Sequence, residues 1–289
     1  MVAFLGNEAL NTGTLSRRAL RHHRSLYRNV YLTPGATLTA ETRAHAAWLW
    51  SQRKGILGGL SASAWYGTRW IDPATPAELF RVNGKPVSGI LIHRDALLVG
   101  EYRTVRGITV TSPARTAFDL GRRRGRLRAV EQVDALANRT GVTPQQILVL
   151  AEEHPGVRGL VQLRQVLQVM DGGAESPQET RTRLVLVDAG LPKPRTQIEV
   201  YPYRLDMGYE EFKVGVEYDG EQHWQDPRQH ARDIDRLADL AAAGWQIIRV
   251  SARILRHRPE VVVERTCRAL RDAGAQWPLI ARILGGTVS

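Results

Sequence analysis

The run Phe212–Tyr218, FKVGVEY, constrains this chain more than any other seven residues. It alternates as a strand does, and it places Glu217 among apolar neighbours. A carboxylate drawn into apolar surroundings is costly unless something holds it. Asp219 follows two residues later, so both acids project from one face of the strand. The preceding run, Arg204–Met207, carries Asp206. If the two runs pair as a hairpin with its turn at Gly208–Glu211, three carboxylates converge. Three such groups repel one another unless a cation sits between them, and hard oxygen donors suit Mg²⁺, with Mn²⁺ as the alternative. A metal there polarises a phosphodiester and lowers the pKa of an attacking water. His223, four residues past Asp219 in a glycine-containing turn, is placed to move a proton. The plainer reading is that Asp206, Glu217 and Asp219 balance nearby arginines.

The surrounding elements follow from caps and periodicity. Ser176-Pro-Gln-Glu179 opens a helix running to Asp188, ended by Gly190 and Pro192. Strands are expected at Thr196–Tyr201 and Trp245–Val250, and helices over 228–243 and Pro259–Ala273. The order is α-β-β-β-α-β-α. Cys267, the single cysteine, shares an apolar helix face with Val263 and Leu270 and reads as core. One cysteine excludes a disulfide framework and a cysteine-rich zinc site, and fits a reducing, cytoplasmic setting.

Four motifs now stand in order: Asp206 at a strand end, Glu217-Tyr-Asp219-Gly-Glu-Gln-His223, Arg232-Asp233-Ile-Asp-Arg236, and Gly244-Trp-Gln-Ile-Ile-Arg249. Together they resemble the very-short-patch-repair (Vsr-like) branch of the PD-(D/E)XK restriction-endonuclease-like superfamily, over residues 176–273. The resemblance implies the restriction-endonuclease-like fold and a Mg²⁺-dependent phosphodiesterase ancestor. It also implies that Glu179 faces the metal site from the first helix. Ser176-x-x-Glu179 is equally a capping box, worth about 1 kcal/mol to the helix start. The general pattern has a lysine where Asp219 stands, and Lys213 shares that strand face two pairs back. The zinc-binding cysteines of mismatch-repair enzymes are absent, so mismatch specificity is not implied.

Charge separates the two halves. Residues 1–175 carry 23 Lys/Arg against 13 Asp/Glu, and residues 176–289 carry 17 against 16. Nearly all the cations are arginine, which forks onto phosphate, so a basic first half meeting DNA is expected. The short Gly-rich stretch Asp171–Glu175 marks the boundary. Near the start, Ser16 is an N-cap for a helix reading RRALRHH, and SLYRNVYL reads as a strand. With a first helix at Ala3–Leu10, this is the order of a winged helix, and Arg17, Arg18, Arg21, Arg24 and Arg28 are its candidate DNA contacts. Residues 41–54 read as a helix with a stripe at Ala44, Ala47, Trp48 and Trp50. Gly59-Leu-Ser61 mimics part of a nucleophile elbow but lacks the second glycine, so it reads as close helix packing. Residues 78–110 read as short strands, Ser112-Pro113 opens a helix, and Arg122–Arg128 is the densest basic run, able to touch phosphate or to end a solvated helix. No 18-residue apolar run and no signal peptide is seen, so no membrane association is expected.

The order of basic helix, LYRNVYL, SASAWYG and VTSPARTAFDLG is similar to AbiEi-type antitoxin and regulator proteins of type IV toxin–antitoxin systems, over residues 1–125. That resemblance implies an N-terminal winged helix and transcriptional DNA binding, and the fusion of both halves resembles an actinobacterial family. The expectation is a mixed α+β, two-domain chain of the α/β type. Residues 1–40 form a winged-helix-like unit, 41–172 an AbiEi-like region and 176–289 a restriction-endonuclease-like α-β-β-β-α-β domain. Two functions compete: a Mg²⁺-dependent DNA endonuclease, and a non-catalytic DNA-binding regulator or antitoxin with a retired nuclease fold. A third is pairing with a toxin partner through the helix bearing Trp48 and Trp50.

Overall fold

A computed structural model describes residues 2–82, 87–123, 125–220 and 227–285, with 227–230 described by backbone alone. The chain divides into two compact units, Met1–Gln168 and Val169–Ser289. No helix among the described residues is long and apolar enough to cross a membrane.

The first unit opens with β1 (Ala3–Leu5), α1 (Gly6–Asn11), α2 (Arg17–Leu20), β2 (Arg24–Tyr27) and β3 (Val30–Leu32). The helix expected over Ala3–Leu10 is corrected. Ala3, Phe4 and Leu5 pair antiparallel with Leu32, Tyr31 and Val30. A distant partner outweighs the local apolar pattern, and the helix starts only at Gly6. Ser16 does cap α2, its Oγ accepting the Ala19 N–H at 3.1 Å. The helix is a single turn, however, and stops at Leu20, before His22 and His23. SLYRNVYL is a hairpin rather than one strand, turning at Asn29 with φ 63°. The Asn29 side chain ties that turn to α1 by reciprocal bonds with Asn7 of 2.9 and 2.7 Å. The sheet order is β1-β3-β2, and Arg17, Arg18, Arg21, Arg24 and Arg28 are all exposed.

The unit continues through α3 (Ala40–Trp50), β4 (Ile56–Leu57), α4 (Gly59–Trp65), β5 (Ala77–Phe80), β6 (Ile90–His93), β7 (Tyr102–Val105) and β8 (Ile108–Thr111). These strands form a sheet ordered β6-β5-β4-β8-β7. Helices α5 (Pro113–Arg123), α6 (Arg126–Thr140), α7 (Pro144–Glu153) and α8 (Leu160–Val169) follow. On α3 the buried positions are Ala44, Ala46, Ala47 and Leu49, while Trp48 and Trp50 lie half-buried at the edge of the core. The expected stripe therefore holds, with its alanines buried and its two tryptophans packed against the rim of the core. Gly59 has φ +49°, and a Cβ there would lie 2.3 Å from the buried Glu78 carboxylate. Glu78 Oε1 accepts the Leu60 N–H at 3.0 Å, and Ser61 Oγ accepts the Glu78 N–H at 2.8 Å. Ser61 is thus a structural hydroxyl.

The Arg122–Arg128 run also departs from expectation at its first two residues. Arg122 bonds Asp119 and Asp95, each at 2.9 Å. Arg123 pairs with Asp95 and donates to His93 Nδ1 at 2.8 Å. Behind them lies Arg115, 1% exposed, bonded to Glu101 at 2.5 Å and to Asp119 at 3.0 Å. Glu101 also accepts the Leu98 N–H at 2.8 Å and is paired with His154. Burial works against charging Asp95, but the guanidinia of Arg123, Arg122 and Arg115 outweigh it and hold that carboxyl below its ordinary range. These cations serve an internal ion cluster.

The second unit comprises α9 (Pro177–Asp188), β9 (Arg195–Val200), β10 (Tyr203–Tyr209), β11 (Val214–Asp219), α10 (Pro227–Ala242), β12 (Gln246–Ser251), α11 (Ala252–His257), α12 (Pro259–Asp272) and α13 (Pro278–Gly285). The sheet order is β12-β11-β10-β9, antiparallel except for the parallel pair β11–β12. One face packs Met207, Val214, Val216, Ile248 and Val250 against Val262, Val263, Cys267 and Leu270 of α12. Cys267 is fully buried. The hairpin turn is Glu210–Lys213, not Gly208–Glu211: Gly208 stays in β10, and a 3-10 turn over Glu210–Phe212 leads to Lys213 at φ 49°. Asp171 belongs to this unit, accepting from Gly173 N–H at 2.9 Å and Thr196 Oγ1 at 2.8 Å and pairing with Lys193 at 3.0 Å.

Candidate active site

The acids gather where β10 and β11 stop pairing. Their ladder runs Tyr209–Val214, Gly208–Gly215 and Met207–Val216. Beyond it the Asp206 carboxylate, in place of a backbone oxygen, accepts the Tyr218 N–H at 2.8 Å. The other side of β10 is interrupted as well. Ile198 pairs with Leu205 and Thr196 with Met207, so Gln197 stands out of register, at φ 53°. Its Nε2 approaches Glu179 Oε2 at 3.4 Å.

Glu179 arrives from the first turn of α9. Ser176 caps that helix, its Oγ accepting the Glu179 N–H at 3.2 Å. The glutamate does not return the bond to Ser176; its Oε2 accepts the Glu175 N–H at 2.8 Å, one residue further out. Glu179 is buried, and burial raises its carboxyl above the ordinary value despite that amide.

Glu217, also buried, projects from β11 and is gripped on both oxygens by Arg236 of α10, with Nη1 to Oε2 at 3.0 Å and Nη2 on Oε1. The electrostatic centre is Asp206, whose carboxyl is pushed up to about 7. Burial is the largest cause, the charge of Glu179 the next; Glu217 adds to it, while the Tyr218 amide and Arg236 oppose it. Glu179, Asp206 and Glu217 thus act on one another as a group.

Asp219 goes elsewhere. Its Oδ2 takes Arg249 Nη2 at 2.7 Å, and Arg249 holds Asp233 at 2.9 Å. Lys213 lies in the turn and donates to the Ala243 carbonyl at 2.9 Å, away from the acids. His223 lies outside the described residues. Gln197 gave no signal in the sequence, because only the broken register brings it to Glu179. The pairing of Arg236 with Glu217 is foreshadowed by the arginine that closes the R-D-x-x-R motif on α10.

Carboxylate oxygens are the donors a hard divalent cation takes, and Mg²⁺ commonly needs only one or two of them, its other positions going to water and phosphate. Burial first, and the charges of Glu179 and Glu217 after it, raise the Asp206 carboxyl, and a cation at that place would favour its charged form. In that sense the residues fit such an ion at Asp206 with Glu217. They do not form an all-protein cage: among the described residues no three His, Cys, Asp or Glu side chains stand close enough to hold a metal.

A family model described as the AbiEi antitoxin C-terminal domain matches residues 56–169, and a REase_MTES_1575 model matches residues 179–270. Two uncharacterized proteins of Mycobacterium tuberculosis are similar: MT2308 of strain CDC 1551 / Oshkosh and Rv2248 of strain ATCC 25618 / H37Rv. Each is 30% identical over 197 residues, which cover 66% of this chain and 72% of the relative. No solved structure matches the chain. The chain belongs to the same family as these mycobacterial proteins, and in it an AbiEi antitoxin domain is followed by a restriction-endonuclease-like domain.

Proposed function

We propose that this protein is a metal-dependent DNA endonuclease of the cytoplasm, hydrolysing phosphodiesters in its second unit and finding DNA through its basic first unit. The observation that carries the reading is Asp206. It sits at the open end of a strand pair, beside Glu179 and Glu217, with its carboxyl raised to about 7. Such a cluster is costly to keep in a retired site, where neutral substitutions relieve it. Asp206 and Glu217 would hold Mg²⁺ or Mn²⁺. The bound ion supplies Lewis acidity to the phosphate and makes a water nucleophilic. Arg236 orients Glu217, and Glu179, held by two donors on Oε2, orients water. Asp219 steadies the β11–β12 edge through Arg249. His223 is assigned the proton transfer. The test is cleavage of supercoiled plasmid in Mg²⁺ or Mn²⁺ by wild type and Glu217→Gln. The expected result is cutting by wild type and at least 100-fold slower cutting by the variant, with DNA binding retained. Equal rates would overturn the assignment.

A second reading, a DNA-binding regulator or antitoxin with a toxin partner, draws on the AbiEi match and on Arg236 and Arg249, which neutralise Glu217 and Asp219 without any metal. Both readings place DNA on the first unit. The β1-β3-β2 sheet, with α1 and α2 between β1 and β2, supports the winged-helix reading. With about five phosphate contacts, from Arg17, Arg18, Arg21, Arg24 and Arg28, log K should fall with a slope of about −4.5 against log salt. Each arginine changed to alanine should flatten that slope by about 1, read by fluorescence anisotropy on labelled duplex. A slope unmoved by all five changes would place DNA elsewhere.

A further inference from the structure

The first unit carries a half-open cleft of about 570 Å³ that the nuclease reading does not use. It lies among β1, α3, α4 and the β7–β8 turn. Its wall is aromatic. His45 stands 6.1 Å from Trp48 and 6.0 Å from Trp65, with ring planes within 24° and 27° of its own. Trp65 is fixed by its indole N–H, which donates to the Val105 carbonyl at 2.8 Å. The Trp48 indole N–H is buried and finds no acceptor among the described residues, a donor that folded proteins seldom leave unmet without a use. Burial, with the charge of Arg53 adding to it, lowers the pKa of His45.

Two guanidinia guard the mouth. Arg106 lies 4.1 Å from the Trp65 ring centre and Arg53 lies 5.8 Å from that of Trp48. Each is exposed: Arg53 is held by Glu8 at 2.5 Å, and Arg106 puts Nη1 on Glu41 at 2.7 Å and Nη2 on the Trp65 carbonyl. Both stand on left-handed backbone, at φ 61° and 49°. Arg106 with Gly107 makes the tight turn between β7 and β8, a place where asparagine is the favoured residue. Arginine in two strained positions, both facing one aromatic slot, breaks a local preference at the mouth of a cavity, where such breaks mark function.

We propose that this cleft binds a nucleobase carrying a phosphate, the base stacking on the Trp48–His45–Trp65 wall and the phosphate taking the fork of Arg53 from Glu8 and the Nη1 arm of Arg106 from Glu41. The slot has the volume of a small-ligand site, and near-parallel rings suit any flat base. Arginine forks bind phosphate bidentately in competition with carboxylate. The net excess of 10 cations over residues 1–175 concentrates polyanions rather than acceptor peptides. The unit comes from a free nucleotide or from an unpaired base of a strand. The inference stands apart from the nuclease reading.

The test uses the full chain in EDTA, where metal-dependent cleavage cannot occur, and the fluorescence of 2-aminopurine as a stacking probe. The probes are 2-aminopurine deoxyriboside monophosphate, a single-stranded nonamer with one 2-aminopurine, and the same nonamer in duplex. Saturable quenching of the monophosphate identifies a free nucleotide as the source. Quenching of the single strand alone identifies an unpaired base. In either case Trp65→Leu and, independently, the surface change Arg106→Ala should weaken binding about tenfold. The proposal is overturned if no probe is quenched, which leaves the cleft to a protein side chain. It is equally overturned if both variants quench like wild type.

Discussion

Arg115→Met should destabilise the first unit by about 3–5 kcal/mol, because it strips the cation from a buried cluster and leaves its acids behind. Arg115 is 1% exposed and bonds Glu101 at 2.5 Å and Asp119 at 3.0 Å, both of them buried. Its guanidinium also lies over Phe80 and Phe118, at 5.2 and 5.6 Å, so methionine keeps the packing of the stem and removes the charge with its hydrogen bonds and ring contacts. Asp119 retains Arg122, but Glu101 is left to His154 and the Leu98 amide. Against a total of roughly 5–15 kcal/mol for a domain, the loss should lower the urea midpoint by about a third or more. The companion Arg115→Met/Glu101→Gln should recover part of the loss, since an amide costs less to bury than an unpaired carboxylate. A single variant within about 1 kcal/mol of wild type would show that the cluster is dispensable.

The second large effect runs through pH. With Asp206 near 7 in the folded chain and near 4 in the unfolded chain, the folded state holds a proton that the unfolded state has released. Stability therefore falls as pH climbs from about 4 to 7 and is lowest above 7. A shift of about three units corresponds to at most about 4 kcal/mol; with Asp206 only partly shielded from solvent, about 2 kcal/mol is the expected yield. Asp206→Asn keeps an oxygen to accept the Tyr218 N–H and removes the charge. Without metal, its urea midpoint should match wild type near pH 4.5 and exceed it at pH 8. Adding Mg²⁺ at pH 8 should raise wild type and leave the variant where it was. A constant difference across pH would remove Asp206 from the centre of the cluster.

Both effects rest on elements that the sequence reveals unequally. The strands of the second unit were readable because VGVEYD and QIIRVS alternate cleanly and their ends carry the acids. The hairpin turn slipped to Glu210–Lys213 because Gly208, which reads as a turn residue, is needed inside β10. A Cβ there would lie 2.4 Å from the Val214 carbonyl oxygen. Ala3–Leu5 read as helix because its partner β3 lies 25 or more residues away, and no local pattern encodes that pairing. Arg122 and Arg123 read as surface cations because composition does not show where charge is cancelled. The clue was helical spacing, with Arg115 and Asp119 four apart and Asp119 and Arg122 three apart. Within the site, Glu179, Asp206 and Glu217 were legible as acids at strand and helix ends. Gln197 was not, because a broken register has no signature in composition.

The parallel pairing of β11 with β12 also sets an order of assembly. Strands β9, β10 and β11 follow one another through short turns, whereas β12 reaches β11 only after the crossover through α10. Short loops close at the smaller entropic cost, so the meander is the natural early nucleus and the crossover the late step. The nucleus contains Asp206, Glu217 and Asp219, while Arg236 and Arg249 ride on the crossover helix and the last strand. A meander formed first would hold those acids before Arg236 and Arg249 reach them. Cations in solution then share the screening with Arg195 and Arg204 of the meander itself, so the rate of folding, and not merely the final stability, is expected to depend on ionic strength.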